Sequence, residues 1–322
     1  MKNLDDTYLE LLPKYNGLME SVKFSLEKII ENKEISLFSL DGRVKKIDSI
    51  NSKIKKKGYS GSLDDIEDLC GIRIICFYIG DMDKLTELIN KEFNVISESD
   101  KQKEANEDEF GYASRHYIVT LNEKWLAMSL FDAYRNLKIE IQLRTMLMHT
   151  WAAISHKLLY KRESDAPKSI KRMLNRLSAL IELADEQFNT IKEGKETYIE
   201  AFSINEGRYK DEILNSDGLV AIINKYLPDR FFDKEEIPKF LMEVDSYRIT
   251  LLDFENRLKM CLPYLGEIEL EMSDVIKWSM TGICRVVMDL THDLYYEGRV
   301  NPSPWFSVVG RYRYKIKNNV IS

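Results

Sequence analysis

Two rhythms govern the apolar positions of this chain. From Asp5 to Asn32, Leu9, Leu12, Tyr15, Leu18, Met19, Val22, Leu26, Ile29 and Ile30 recur at helical spacing, which predicts a long amphipathic helix. Asp48 to Lys57 predicts a second helix, ended by Gly58. Then the rhythm shortens. "GIRIICFYI" is a nearly continuous apolar run rich in isoleucine, which suits a buried strand. "DMDKLTELINKEF" reads as a helix with an acidic first turn, and "NVISESD" and "SRHYIVTL" read as strands. Lys138 to Lys161, "KIEIQLRTMLMHTWAAISHKLLYK", changes rhythm within itself. Ile139, Ile141 and Leu143 fall on one side of a strand and Glu140, Gln142 and Arg144 on the other. A helix from Met146 follows, holding two of the four histidines.

Strands mixed with helices over Arg43 to Lys161 predict an α/β or α+β domain around one sheet. The remainder is patterned for helices. Leucines recur at helical spacing from Pro167 to about Ile191, and helical patterns return at 235–260 and 272–296. "VNPSPWF" interrupts them, and "SVVGRYRYKIKN" reads as a terminal strand or arm. A boundary is expected near Ser164 to Pro167 or near a loop at about 200–217. The division adopted is 1–199 for the mixed domain and 200–322 for a mainly helical one.

Composition narrows the function classes. Of 322 residues, 44% are hydrophobic and 31% charged, as in soluble globular proteins, and no apolar run reaches the length of a membrane span. The acidic, amphipathic start is not a secretory leader, and Cys70, Cys76, Cys261 and Cys284 form no CxxC pair. Buried free thiols and a cytoplasmic location are expected. The net charge of −6 is unevenly spread: "GRVKKIDSINSKIKKKG" is basic, "ESDKQKEANEDEFG" acidic. A basic patch on an acidic protein points to a local phosphate site more than to a general nucleic-acid coat.

Four clusters could carry chemistry. Arg43 and Lys45 share one side of an extended segment, and Ser49 and Lys53 one face of a helix, so together they could grip a polyphosphate. Asp68 precedes an apolar strand containing Arg73; the pair could be a magnesium ligand beside a cation, or a simple ion pair. In "FGYASRHY", Gly111 lets the chain present Tyr112 to a flat base, while alternation puts Ser114, His116 and Ile118 on one face. Glu140, Gln142 and Arg144 require partners, a cleft or solvent. His149 and His156 lie roughly 10 Å apart along a helix axis, too far to share one metal ion. Each cluster also has a plainer reading, as a solvated basic face, a helix cap, a core tyrosine or an exposed sheet face.

In this order, "RVKKIDSINSKIKKK", "DIEDLCGIRIICFY", "GYASRHY" and "IEIQLRTMLMHTWAAISHKLLYK" resemble the RelA/SpoT synthetase domain of alarmone synthetases over roughly residues 20–190, with the compact small synthetases nearest in kind. The resemblance implies an α+β fold: a mixed sheet of the nucleotidyltransferase type flanked by helices, followed here by a mainly helical C-terminal region. It implies transfer of the β,γ-pyrophosphate of ATP to a ribose 3′-hydroxyl, with GDP or GTP as acceptor and (p)ppGpp as product. Carried over by position, Arg43 and Arg73 sandwich the adenine and Lys45 and Lys53 hold the donor phosphates. Asp68 binds Mg²⁺ with help from Glu140, which also takes the proton of the attacking hydroxyl. Tyr112 stacks on the acceptor base, His116 meets the phosphates in transfer, and Gln142 and His149 orient the acceptor.

One departure bears on the acceptor. Relatives that use GDP or GTP tend to carry basic residues just before the Gly-Tyr, whereas this chain has Glu104, Glu107, Asp108 and Glu109. Toxic members of the family modify the 3′-CCA end of tRNA instead, and Lys168, Lys171, Arg172 and Arg176 could supply the basic surface such an acceptor needs. A third reading is an inactive relative that senses nucleotide, disfavoured by the presence of both Asp68 and Glu140. The expected partners are ATP with GDP or GTP, or tRNA under the second reading, with no membrane; self-association stays open. His292–Asp293 lacks the companions a metal-dependent hydrolase needs and reads as a satisfied helix pair.

Overall fold

In the computed structural model the described residues are 4–33, 35–57, 63, 66–100, 114–158, 167–203, 211–272 and 277–319. Contacts divide the chain into two compact units, 1–191 and 192–322.

The first unit is built on a five-stranded sheet. Its strands are β1 (Leu37–Val44), β2 (Cys70–Cys76), β3 (Phe93–Asp100), β4 (Arg115–Leu121) and β5 (Ile139–Thr145), in the order β1-β2-β5-β4-β3. β2 and β5 run parallel and the other neighbours antiparallel, so the sheet is mixed. The helices are α1 (Leu4–Glu31), α2 (Ile47–Lys57), α3 (Ile79–Glu92), the single turns α4 (Glu123–Leu126) and α5 (Ser129–Asp132), α6 (Met146–Leu158) and α7 (Lys168–Ser203). Alternation decides which face is the core. Ile72, Ile74, Tyr117, Val119, Ile139, Ile141 and Leu143 are buried in one cluster with Leu18, Val22 and Leu26 of α1 and Leu85 and Ile89 of α3. Leu9 sits at a helical apolar position yet is exposed, because Tyr8 takes the inward place and donates its hydroxyl to the Lys45 carbonyl.

The second unit is helical: α8 (Ser216–Tyr226), α9 (Glu236–Val244), α10 (Leu251–Met272), α11 (Met280–Thr291), α12 (Asp293–Arg299) and α13 (Pro304–Asn319). Its own core gathers Leu219, Ile223, Phe240, Phe254, Leu258, Ile283, Val287 and Val309. Here the expected terminal strand or arm is corrected. "SVVGRYRYKIKN" lies in α13, where Val309, Tyr312 and Ile316 are buried at helical spacing and Pro304 occupies the first helical position. His292 caps α12 by accepting from the Tyr295 N–H at 3.2 Å, and Asp293 pairs with Lys317 at 2.7 Å, so this pair is structural. All four cysteines are free and buried.

The division between units falls within α7, at Ile191–Lys192, eight residues before the boundary drawn from the sequence. The leucine rhythm of α7 predicted its helix but not which face is buried. Leu177, Leu180 and Leu183 are exposed, while Leu174, Ser178 and Asp185 are buried.

The contrast between β5 and α7 is measurable. Ile141→Ala removes a fully buried side chain and should cost about 2–5 kcal/mol of stability. Leu180→Gln changes an exposed one and should stay within about 0.5 kcal/mol of wild type. Urea unfolding followed by circular dichroism tests both, and a large loss from Leu180→Gln would contradict the exposed leucine face.

Candidate active site

The polar face of the sheet collects residues from four strands. Because side chains alternate, burying Ile139, Ile141 and Leu143 sends Glu140, Gln142 and Arg144 to the other side. Register then sets their neighbours. Across β4, Gln142 lies opposite His116 and Glu140 opposite Ile118; across β2, Gln142 lies opposite Arg73 and Glu140 opposite Gly71. Arg73 faces Asp41 on β1, and Gly71 faces Arg43. Opposite Glu140 there is therefore no side chain on β2, which leaves room beside its carboxylate. A cleft of about 190 Å³ opens there, lined by Asp41, Gly42, Arg43, Lys45, Asp68, Gly71, Ile72, Arg73, Glu140 and Gln142.

Glu140 is held on both oxygens. Its Oε1 pairs with His116 Nδ1 at 2.9 Å and its Oε2 accepts from Gln142 Nε2 at 2.8 Å. His116 Nε2 in turn meets Ser114 Oγ at 2.6 Å. Burial opposes ionisation of Glu140, but the bonds from His116 and Gln142 outweigh it and hold the carboxyl below its ordinary pKa. Glu140 is thus a carboxylate at neutral pH, fixed in direction.

Asp68 lies in the turn before β2. Its Oδ2 receives Lys45 at 2.5 Å and Lys53 at 2.7 Å. The simple Asp68–Arg73 ion pair weighed from the sequence is not formed, since the nearer ammonium groups of Lys45 and Lys53 take the carboxylate. Burial again works against ionisation, and the two lysines overcome it, lowering the Asp68 pKa. Lys45 follows β1 and Lys53 projects from α2, so the segment Arg43–Lys53 converges on Asp68. Asp68 Oδ1 is buried with no partner among the described residues, and the negative charge of Asp68 acts on Glu140. A buried bare carboxylate oxygen with a second carboxylate at hand suits a hard divalent cation such as Mg²⁺, which prefers oxygen ligands and retains several waters.

Beyond Gln142 the face turns basic. Burial and the charge of Arg73 lower the pKa of Arg144. Burial, Arg73 and Arg144 lower that of His149, which sits in the first turn of α6. Arg73 Nε, Arg144 Nε, Gln142 Oε1 and His149 Nδ1 are buried without a hydrogen-bond partner among the described residues. Such groups are costly unless something binds them. Arg43 is exposed at the cleft rim, diagonal to Arg73. The structure thus brings together Arg43, Lys45, Lys53, Asp68, Arg73, His116, Glu140, Gln142 and His149. Tyr112 and the acidic Glu104–Glu109 segment lie outside the described residues. Arg144 and Ser114 received no role from the sequence, although the two-residue period already placed Arg144 on the face of Glu140 and Ser114 on that of His116. His156 takes no part in this arrangement, and no group of His, Cys, Asp and Glu side chains forms a three-ligand metal site among the described residues. None of the described helices is long and apolar enough to cross a membrane.

Comparison with known proteins places this arrangement. Residues 42–165 match the region found in RelA / SpoT proteins. The GTP pyrophosphokinase YjbM of Bacillus subtilis (strain 168) is 29% identical over 198 residues, covering 59% of this chain and 90% of the relative. The GTP pyrophosphokinase YwaC of the same organism is 29% identical over 156 residues, covering 47% and 71%. Small alarmone synthetase 1 from Bacillus subtilis matches with a TM-score of 0.50 at 28% identity, over 60% of this chain and 99% of that one. The same synthetase bound to its product pppGpp matches with a TM-score of 0.50 at 27% identity, over 59% and 98%. The matched segment contains all nine residues that the structure brings together, from Arg43 to His149. The first unit thus contains, at residues 42–165, the region found in RelA / SpoT proteins and is similar in sequence and fold to the small alarmone synthetases, a likeness that supports a pyrophosphotransferase, and it is followed in sequence by a helical unit outside the matched region.

Proposed function

We propose that the domain transfers the β,γ-pyrophosphate of ATP to the 3′-hydroxyl of GDP or GTP. The observation that carries this reading is the pairing, in one cleft, of a fixed carboxylate at Glu140 with the Asp68–Lys45–Lys53 cluster. The related synthetase that binds pppGpp supports the acceptor class.

The chemistry follows from the residues. The 3′-oxygen attacks the β-phosphorus, the bond from that phosphorus to the α,β-bridging oxygen breaks, and AMP leaves. Glu140 takes the hydroxyl proton; it is ionised at neutral pH, and His116 and Gln142 keep it from rotating away. Lys45 and Lys53 offer two ammonium groups that exchange the Asp68 carboxylate for donor phosphate oxygens. Phosphoryl-type transfer depends on positioning and charge neutralisation rather than covalent help. Arg43 and Arg73 flank the cleft where the adenine would lie, and Arg73, Arg144 and His149 leave donors unpaired toward the same face. Asp68 and Glu140 would hold Mg²⁺, which when bound neutralises charge on the transferred group.

Incubation with γ-³²P-labelled ATP and GDP, GTP or bulk tRNA tests the proposal. Label is expected in GDP and GTP. Label in tRNA alone would move the acceptor to the 3′-CCA end, and label in none of the three, with ATP still bound, would leave a nucleotide sensor.

Glu140→Gln should retain binding of a non-hydrolysable ATP analogue and lose transfer. Retention of more than about a tenth of turnover, a barrier change under about 1.4 kcal/mol, would remove Glu140 from the role of base. Arg43→Ala and Lys53→Ala should each raise the KM for ATP whichever acceptor is used; an unchanged KM and kcat in both variants would refute the donor-site assignment.

The ion cluster also sets an acid limit. Asp68 has a folded pKa below its ordinary 3.8, so its contribution is complete above that value and is lost as pH falls through the lower folded one. The urea midpoint of the wild type should therefore drop more steeply than that of Asp68→Asn between about pH 5 and pH 3. Parallel pH profiles would show that the Lys45–Asp68–Lys53 cluster contributes nothing to stability.

A further inference from the structure

We propose that α7 is a positioning element for this site, in which Asp185 and Asn189 hold the first turns of α6 and α3 against the ends of β5 and β2. The proposal rests on the site reading above for its catalytic consequence, and on hydrogen bonds for its geometry.

Asp185 is buried on α7, and its Oδ2 accepts from Thr145 Oγ1 at 2.6 Å. The same hydroxyl accepts from the Met148 N–H at 3.1 Å. Thr145 ends β5 and immediately precedes α6, so this second bond is a helix N-cap. A hydroxyl has one proton to give, and the Met148 bond leaves it for Asp185, which fixes the rotamer of the cap. Glu140, Gln142 and Arg144 stand on one side of that corner and His149 on the other. The corner sets the distance between the strand floor and the helix that carries His149.

Asn189 repeats the device one turn later. Its Oδ1 accepts from the Gly80 N–H at 3.0 Å, in the first turn of α3. α3 follows β2, the strand of Arg73. A Cβ at Gly80 would stand 2.6 Å from Asn189 Oδ1, so a larger residue there would displace the amide from this bond. β2 and β5 are adjacent and parallel. Their helices therefore start at the same end of the sheet, and residues four apart on α7 reach both starts. Ser178, buried and seven residues before Asp185, lies on the same face.

Residue choice on α7 is the reverse of what packing alone favours. Leucines at 177, 180 and 183 are exposed, while a serine and a carboxylate are buried. Burial lifts the Asp185 carboxyl to about 7, a penalty that leucine at this position would not carry. Buried polar groups that are bonded fix one arrangement where apolar contacts tolerate several.

The test uses the full chain with Asp185→Ala, Asp185→Asn and Thr145→Val, read by hydrogen exchange and by steady-state kinetics. In Asp185→Ala, amides of the first turn of α6 should exchange about tenfold faster or more. The kcat/KM for the acceptor should fall at least about fivefold while the KM for ATP stays within about twofold, because Asp185 holds the β5–α6 corner, whereas Arg43, Lys45, Lys53 and Asp68 lie on β1, on α2 and in the turns beside them, and Arg73 lies on β2, whose corner is held by Asn189. Asp185→Asn keeps an accepting oxygen and should restore both readouts; Thr145→Val should reproduce the loss. Unchanged exchange in Asp185→Ala, an asparagine variant as defective as alanine, or equal losses for donor and acceptor would each overturn the proposal. If Asp185→Ala does not fold, the pair Thr145→Ser and Thr145→Val carries the same comparison, with serine expected to behave as wild type and valine not. Exchange is measured without substrate, so it judges the clamp even if the wild type transfers nothing, the outcome that would refute the site reading instead.

Discussion

Everything at the site depends on the register of β5. Ile139, Ile141 and Leu143 are fully buried, and a slip of one residue would place Glu140, Gln142 and Arg144 in the core. The penalty for burying a carboxylate and a guanidinium among isoleucines is large enough to forbid the slip. Hydrophobic burial on one face thus fixes the chemistry on the other. Pairing with β2 and β4 carries the same constraint sideways, bringing Arg73 and His116 level with Gln142.

Charge on that face is arranged in two zones. Near β1 and the turn before β2, Asp68 holds two lysines, and the two cations win against burial to keep it ionised. Toward the end of β5, the charge of Arg73 acts on Arg144, both act on His149, and several polar groups stay unmatched among the described residues. Glu140 stands between the zones, ionised through His116 and Gln142. A ligand with distributed negative charge relieves the like-charge zone and exchanges with Asp68 for its lysines, which is why a polyphosphate fits this face better than a neutral substrate.

The sequence made the floor legible because a strand period of two is simple and the isoleucines of β2 and β5 leave one choice of face. It made the cluster of Arg43, Lys45 and Lys53 legible, though not the two lysines as partners of Asp68, since that meeting joins residues fifteen and twenty-three positions apart. The His116–Glu140 contact was hidden for the same reason: it depends on β4 pairing with β5, which no local pattern states. On α7 the leucine rhythm identified the helix but not its buried face, because Asp185 is buried against Thr145, a partner that only the folded chain supplies. The C-terminal segment misled differently. Alternating tyrosines and arginines look like a strand, and the helical spacing of Val309, Tyr312 and Ile316 decides otherwise once a second core exists to receive them.

The central claim is that this polar floor performs pyrophosphate transfer, and the fate of the donor tests it most directly. Chromatography of a reaction containing ATP and GTP should show AMP appearing in a ratio of about one to one with a guanosine product bearing an added 3′-pyrophosphate, as required when the β,γ unit moves intact. Accumulation of ADP, or AMP with free pyrophosphate and no modified acceptor, would contradict it.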